Sequence, residues 1–263
     1  MDERSYKIVI IGAGNLATNL GKALHAKGYC ISQVYSRTKS SAESLAGVLA
    51  TDYVTDLEQV RNDADLYIVS LKDSALVELI PEIVSGRQNA LFIHTAGSVP
   101  MNIWEGNVPR YGVFYPMQTF SKSREVDFKD IPVFLEAVNE ADLGVLHEIA
   151  SDLSSNVREA TSEQRRYLHL SAVFACNFTN HMYALAETLL AKYNLPFDVM
   201  LPLIDETACK VHELSPVEAQ TGPAVRYDEN VIDKLLELLS DEPEMRELYE
   251  KISKNIYKLK SGK

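Results

Sequence analysis

The 263-residue sequence predicts an α/β domain with a doubly wound, mainly parallel sheet, followed by an all-α domain. Residues 7–11 form a run rich in β-branched residues that meets two glycines, after which the apolar period changes from strand to helix. Strand patterns then alternate with helical patterns of about 10–15 residues, which indicates βαβ units. From Ser162 onward only helical patterns remain. We therefore predict two domains, residues 1–160 and 161–263.

The individual elements follow from the apolar period and from the turn residues between them. Strands are predicted at 7–11, 29–35, 53–54, 65–71, 90–97, 111–115, 132–136 and 156–160. In the first domain, helices are predicted at 16–27, 41–49, 56–62, 75–85 and 140–153. The second domain is predicted to hold helices at 162–191, 197–212, 230–239 and 244–260.

Composition argues against several classes of protein. A net charge of −11 disfavours nucleic-acid binding, which needs a basic surface. No apolar run approaches the roughly 18 residues of a membrane span, so we expect no membrane partner. Three scattered cysteines fit neither a disulfide framework nor a metal site. The mixed-charge start Met1-Asp2-Glu3-Arg4 does not look like a signal peptide, so a reduced, cytoplasmic protein is expected.

The glycine turn after the first strand predicts dinucleotide binding. Gly12, Gly14 and Ala17 have the spacing G-x-G-x-x-A between a strand and a helix. Gly12 permits the tight turn, Gly14 lets the backbone approach a pyrophosphate, and Ala17 is small enough for close helix–strand packing. The N–H groups that open the helix, at Asn15 and Leu16, would hold the phosphates.

The end of the second predicted strand favours NADP(H) over NAD(H). An NAD-preferring fold usually places a carboxylate about 20 residues beyond the glycines, but this chain has Ser36, Arg37 and Thr38 there. Hydroxyl groups and a guanidinium suit a 2′-phosphate. Alternatively, Thr38 or Ser40 caps the next helix and the basic residues are merely exposed.

Further strand ends should line the same cleft, because ligands of such sheets lie beyond the carboxyl ends of the strands. The expected cofactor-binding residues there are Ser70, Leu71 and Lys72, with Thr95, Ala96 and Gly97. His94 is interpreted as a residue on the cofactor side rather than a metal ligand. Gln118 follows a later strand end and is predicted to contact substrate, although this segment could instead only shape the turn after Pro116-Met117.

The helix predicted from Ser162 carries the candidate catalytic residues. His169 and Asn177 lie eight residues apart, which places them within about 80° of each other on one helical face. Buried between the domains, they could bind a substrate carbonyl or imine and supply a proton. Alternatively, the two side chains only satisfy buried carbonyl groups.

A loop at residues 220–228 is the second candidate in the helical domain. Gly222-Pro223 predicts a turn, and Asp228 is placed to cap the following helix. Arg226 could bind a substrate carboxylate through two hydrogen bonds, or it could pair with an acidic residue of the chain itself.

The motifs together resemble known families. The first domain resembles the Rossmann domains of pyrroline-5-carboxylate reductase and coenzyme-F420-dependent NADP reductase. The whole chain resembles Rossmann-like NADP oxidoreductases with a helical C-terminal domain of unknown function. The matching stretches are 94–97, 115–120, Tyr167-Leu168-His169 with Asn177, and 221–228.

The resemblance implies a C-terminal domain of the 6-phosphogluconate dehydrogenase-like type, through which relatives form homodimers. The family pattern has His where Tyr115 stands and Gly where Tyr227 stands. Tyr115 is therefore assigned to the substrate site, and a proton-transfer role at this position is open.

These expectations combine into an NADP(H)-dependent oxidoreductase that acts on a small carbonyl or imine compound bound between the domains. The alternative is a sensor or scaffold protein that binds NADP(H) without turnover. A third reading, an NAD-linked prephenate-like dehydrogenase, is disfavoured by Ser36 and Arg37.

Overall fold

The computed structural model describes residues 6–262, so the predicted absence of a signal peptide at Met1-Asp2-Glu3-Arg4 falls outside the described residues. The eight predicted strands are all present, with somewhat different ends. They are β1 (Lys7–Ile11), β2 (Cys30–Tyr35), β3 (Asp52–Val54), β4 (Leu66–Val69), β5 (Leu91–His94), β6 (Tyr111–Pro116), β7 (Val133–Ala137) and β8 (Val157–Glu159).

The strands form one sheet in the order β3-β2-β1-β4-β5-β6-β7-β8. The pairs from β3 to β6 are parallel, β6 and β7 are antiparallel, and β7 and β8 are parallel. The order reverses between β1 and β4, which is the position where such sheets bind their ligands. The predicted doubly wound, mainly parallel sheet is confirmed.

Alternate residues of β1 show how the sheet is covered. Ile8 and Ile10 lie in one buried apolar cluster, while Val9 and Ile11 lie in another. Because successive side chains of a strand point to opposite faces, both faces of the sheet are buried. The sheet is thus a rigid, desolvated support for the loops at its edge.

Ten α-helices occur within residues 6–262. They are α1 (Asn15–Ala26), α2 (Lys39–Leu49), α3 (Asp73–Val84), α4 (Glu140–Leu153), α5 (Ser162–Ala172), α6 (Thr179–Ala191), α7 (Leu201–Lys210), α8 (Pro216–Ala219), α9 (Glu229–Leu238) and α10 (Pro243–Ser261). None of the helices in this part of the chain has the length and apolar character needed to cross a membrane.

The helix predicted at 56–62 is wrong. Only a 3₁₀ turn, Leu57–Gln59, forms there, and the Asp56 carboxylate caps it by accepting from the N–H of Glu58. The N–H of Arg61 donates to the side chain of Gln33 at 2.8 Å instead of to a helical carbonyl. A hydrogen bond to β2, which is distant in sequence, therefore replaces the helical hydrogen bond that the local sequence predicts.

The same turn is tied to the end of α3 by Arg87, which is only 6% exposed. The guanidinium forms no ion pair among the described residues and donates only to backbone carbonyl groups. These belong to Leu57, Val60, Arg61, Glu82, Ile83 and Ser85.

The chain divides into two compact units after Cys176, whereas we predict the domain boundary near residue 160. The predicted boundary marks the change from strands to helices, while α5 belongs to the first compact unit. The second unit is entirely helical among its described residues. Its buried apolar side chains there are few, namely Ala224, Ile232, Leu236 and Leu239.

Candidate active site at the carboxyl edge of the sheet

The turn after β1 requires glycine at position 12. Gly12 has φ of +118°, and a Cβ atom there would overlap the carbonyl oxygen of Ser70 on β4's exit. Its N–H donates to the carbonyl of Tyr35 at 2.8 Å, which fixes the turn against β2. The backbone of the turn is therefore locked between the two neighbouring strands.

Gly14 has a different reason to be glycine. It is the N-cap residue of α1 and is exposed, and a Cβ atom there would meet nothing within 4 Å. In the part of the chain that the structure describes, no side chain caps α1, and the first turn of this helix contains no acidic residue. The N–H groups of Asn15, Leu16 and Ala17 consequently lack intrahelical partners and mark the positive end of the helix dipole. This open, uncapped turn fits a bound phosphate group.

The end of β2 presents Ser36, Arg37 and Thr38. Ser36 is tied to β3 by its N–H, which donates to the carbonyl of Val54 at 3.2 Å. Arg37 is exposed and forms no ion pair within residues 6–262. Thr38 occupies the N-cap position of α2 without a capping side-chain bond. The alternative cap, Ser40, is wrong because this residue lies inside the helix.

The segments that follow the carboxyl ends of β4 and β5 are hydrogen-bonded to each other next to the glycine turn. Ser70 donates its N–H to the carbonyl of Ile11 at 2.7 Å, and the Thr95 hydroxyl donates to Ser70 Oγ at 3.0 Å. Leu71 borders Gly12, and Lys72 is an exposed N-cap residue of α3. The predicted cofactor-binding residues therefore lie along one edge of four adjacent strands.

Gly97 supports a pair of polar aromatic side chains. A Cβ atom at Gly97 would lie 2.8 Å from His169 Nδ1 and 2.9 Å from Tyr115 Cζ. Tyr115 Oη and His169 Nδ1 are 3.2 Å apart, within hydrogen-bonding distance. Tyr115 is 8% exposed and His169 is half-buried. The structure thus brings Gly97, Tyr115 and His169 together at the edge that also holds the glycine turn.

Burial changes the acidity of this phenol. Desolvation raises the pKa of Tyr115, and the positive charge of Arg165 opposes that rise. The phenol is accordingly protonated at neutral pH and can donate a hydrogen bond.

Arg165 is a site residue that sequence reasoning missed. It is 1% exposed, forms an ion pair with Glu136 on β7, and donates to the carbonyls of Ala96 (3.3 Å) and Val99 (2.6 Å). Ser162 also donates to Glu136, through both its N–H and its hydroxyl. These bonds attach the start of α5 to the loop that contains Gly97.

One sequence signal could have suggested Arg165. It precedes His169 by four residues, so both lie on the same face of a helix. The spacing does not show that this face meets Glu136, which is distant in sequence.

His94 is the last residue of β5, and its side chain is buried. Its side chain is 0% exposed, and its ring stacks near Trp104 with ring centroids 6.4 Å apart. Its Nδ1 accepts from the N–H of Ala96 at 3.2 Å. Burial lowers the pKa of His94 to about 3, so the ring is neutral.

Asn177 lies in a π-helical segment, Val173–Phe178, that interrupts the predicted helix 162–191. Hydrogen bonds in a π-helix span five residues instead of four, so the face predicted with 100° per residue does not continue through it. Asn177 is exposed in the single chain, and its predicted role stays a prediction.

Gln118 and Arg226 are both exposed. The Gln118 side chain accepts from the N–H of Thr119 at 2.8 Å, a bond within the loop after β6. Arg226 follows a 3₁₀ turn, Pro223–Val225, and forms no ion pair in the described part of the chain. Asp228 caps α9 as predicted, by accepting from the N–H of Val231.

Comparisons with known proteins place this geometry in context. Residues 7–97 match a family described as coenzyme F420-dependent NADP oxidoreductase, and residues 131–256 match a domain of unknown function, DUF2520. No curated protein matches the sequence. The chain is 65% identical to a Bacteroides fragilis protein of known structure described as a "putative NADP oxidoreductase". That match covers 96% of this chain and 98% of that chain, with a TM-score of 0.93. The chain belongs to the same family.

More distant structures share the fold alone. An imine reductase from Myxococcus stipitatus in complex with NADP+ is 16% identical, with 97% and 93% of the two chains covered and a TM-score of 0.65. A pyrroline-5-carboxylate reductase from Coxiella burnetii is 19% identical, with 98% of each chain covered and a TM-score of 0.59. The resemblance found in the sequence and the predicted fold class are confirmed.

The two departures from the family pattern have visible structural settings. Tyr227 has φ of +52°, a left-handed conformation that glycine adopts without strain. Its ring packs on Tyr257 with centroids 5.3 Å apart, a contact that glycine could not make. Tyr115, at the other departure, is the hydrogen-bonding partner of His169.

Proposed function

We propose that the protein is an NADP(H)-dependent oxidoreductase that transfers a hydride to or from a small carbonyl or imine compound. The observation that carries this proposal is the Tyr115–His169 pair on Gly97, at the same edge of the sheet as the glycine turn. Proton-transferring groups beside a dinucleotide site are what reduction of a C=O or C=N bond requires.

The residues present fit the cofactor. The uncapped turn Asn15–Ala17 would hold the pyrophosphate, with Gly14 allowing its close approach. Ser36, Arg37 and Thr38 would bind the 2′-phosphate. Arg37 has no ion-pair partner in the described chain, and the Thr38 hydroxyl forms no capping hydrogen bond, so both side chains are available. Ser70, Leu71 and Lys72, with Thr95, Ala96 and Gly97, would border the rest of the cofactor. When bound, the nicotinamide supplies or accepts the hydride.

The chain's own residues would bind the substrate and move its proton. His169 would donate a proton to the substrate oxygen or nitrogen in the reducing direction, and Tyr115 would orient the imidazole. Asn177 would anchor the substrate, Gln118 would contact it, and Arg226 would bind an anionic group. The exposed side chains of Gln118 and Arg226 leave them available for these contacts.

We further propose a homodimer in the cytoplasm. The second unit exposes many large apolar side chains, among them Leu195, Val199, Leu203 and Leu238, while burying few. Large exposed apolar surfaces mark interaction sites, and a second copy of the chain would cover this one. The three free cysteines, Cys30, Cys176 and Cys209, suit a reducing compartment. Sedimentation equilibrium would test the dimer, and a monomer at micromolar concentration would contradict it.

Calorimetric titration with NADPH and NADH tests the cofactor assignment. We expect NADPH to bind more tightly, and Arg37→Ala to reduce this preference about tenfold by removing a charge-assisted bond. The exposed Arg246 of α10 offers a control, since Arg246→Ala should not alter the preference. Equal affinity of the unaltered protein for both cofactors would contradict the assignment.

NADPH oxidation in the presence of a panel of carbonyl and imine compounds tests the reaction. With a substrate identified, His169→Ala should slow turnover at least tenfold, while the exposed His25→Ala should not. A loss below about threefold, under ~1 kcal/mol of barrier, would remove His169 from the mechanism. Tight NADPH binding without oxidation by any compound of the panel would favour the sensor or scaffold instead.

A further inference from the structure

The hydrogen bond between Tyr115 and His169 defines the proton positions of the pair. Tyr115 Oη has no other hydrogen-bond partner among the described residues. A protonated phenol buried at 8% exposure must therefore donate to His169 Nδ1, or its O–H remains unsatisfied. The neutral imidazole then carries its proton on Nε2, the nitrogen directed away from the phenol.

Among the described residues, Arg165 on α5 is the charged group that acts on Tyr115. Arg165 forms an ion pair with Glu136 on β7, and the ring of His169 lies beside Tyr115. Arg165 connects α5, the helix that carries His169, to the loop that carries Gly97. It does so by donating to the carbonyls of Ala96 and Val99 on either side of Gly97. Its charge also favours the ionised form of the Tyr115 phenol.

We propose that Tyr115 and His169 form a proton relay, and that Arg165 is the positioning residue that aligns the relay and stabilises the tyrosinate formed in it. This relay rests on the function proposed above. In the reducing direction, the Nε2–H bond breaks as an O–H or N–H bond forms on the substrate. The phenolic proton moves at the same time from Tyr115 Oη to His169 Nδ1.

The relay leaves a neutral imidazole protonated on Nδ1 and a tyrosinate near the Arg165 guanidinium. The substrate gains the proton from Nε2 together with the hydride that a bound nicotinamide would supply. A proton from solvent water then adds to Nε2, and the Nδ1 proton returns to Tyr115 Oη, which restores both the phenol and the original tautomer. No imidazolium is required, so the relay works at pH values where free histidine is neutral. Buried charge on Tyr115 is tolerable only because Arg165 lies nearby.

Tyrosine 13Cζ NMR titration tests the role of Arg165 without any substrate. The signal missing in Tyr115→Phe identifies Tyr115. We expect Arg165→Gln to raise the Tyr115 pKa, and Arg165→Lys, which keeps the charge, to raise it less. Glu136→Gln should shift it in the opposite direction, because it removes the carboxylate that neutralises Arg165. This last variant keeps one of the two acceptor oxygens for Ser162 and serves if Arg165→Gln fails to fold.

Histidine 15N shifts test the relay itself. The unaltered protein should show His169 protonated on Nε2, and Tyr115→Phe should give a mixture of tautomers. With a substrate, Tyr115→Phe should lose turnover mainly at alkaline pH, where the unaltered protein remains active. Tyr115 titrations that are identical in all variants, or an unchanged tautomer and pH profile in Tyr115→Phe, would overturn the relay. If the variants change the Tyr115 pKa and the His169 tautomer as expected but no compound is turned over, the result would count against the proposed function and support the Tyr115–His169–Arg165 arrangement. Turnover without these NMR changes would overturn the relay alone.

Discussion

The glycine turn and the Tyr115–His169 pair occupy the same edge of the sheet but are built differently. The glycine turn consists of backbone groups fixed by neighbouring strands, with Gly12 against Ser70 and Tyr35. The Tyr115–His169 pair consists of side chains from β6 and α5, and the buried Arg165 holds α5 in place through its ion pair with Glu136. The first should tolerate changes of pH and of nearby side chains, and the second should not. Binding and proton transfer can therefore be disturbed separately.

Gly12→Ala should have the largest effect of the variants considered. The new Cβ would overlap the Ser70 carbonyl oxygen, and alanine is strained at φ of +118°. We expect a loss of about 3 kcal/mol or more in the free energy of unfolding. Urea denaturation followed by circular dichroism measures it. A loss below about 1 kcal/mol would show that the turn is not locked as described.

Acid should destabilise the region of the Tyr115–His169 pair through His94, which lies three residues before Gly97. Its pKa is about 3 in the folded protein, lowered by burial, against about 6.5 in an unfolded chain. Unfolding therefore takes up a proton between these values, and the stability contributed by the neutral ring is lost as pH falls from about 6.5 toward 3. The slope for this one group is at most about 1.4 kcal/mol per pH unit.

His94→Phe isolates that contribution, because it removes the titrating group and keeps an aromatic ring beside Trp104. Urea denaturation at pH 7 and pH 4.5 should show a smaller loss of stability for the variant than for the unaltered protein. Parallel losses in the two proteins would mean that His94 is not held neutral by burial.

Gly97→Ala should have an intermediate effect. Its Cβ would lie within 3 Å of atoms of both His169 and Tyr115, but side chains can move aside where backbone cannot. We expect about 1–2 kcal/mol of destabilisation, the usual range for overpacking, together with loss of the Tyr115–His169 hydrogen bond. Thermal denaturation and the 15N shifts of His169 measure the two effects. An unchanged His169 signal would show that the pair does not rest on Gly97.

Gly14→Ala should change stability least, by less than about 0.5 kcal/mol, because a Cβ there meets open space. It should nevertheless weaken NADPH binding about tenfold or more, since the methyl group would occupy the approach of the pyrophosphate. Calorimetry with NADPH measures the affinity. Unchanged affinity would place the cofactor phosphates elsewhere.

The difference between the glycine turn and the Tyr115–His169 pair also explains which features could be predicted from the sequence. Gly12, Gly14 and the strand ends are local features, because spacing alone indicates a turn between a strand and a helix. Tyr115 and His169 are 54 residues apart in sequence, and their contact depends on how α5 meets β6. The Arg165–Glu136 pair, the burial of His94 and the short turn at Leu57–Gln59 likewise depend on distant parts of the chain. Tertiary packing decides each of these.

Arg87 gives one more consequence of how this fold uses charge. Within residues 6–262 this guanidinium is held by main-chain oxygens and has no acidic partner that a proton could neutralise, and its burial limits screening by salt. The attachment of α3 to the 57–61 segment should therefore persist both at low pH and at high salt concentration. Lysine, with three donors on a single nitrogen, could not reach all six carbonyl groups.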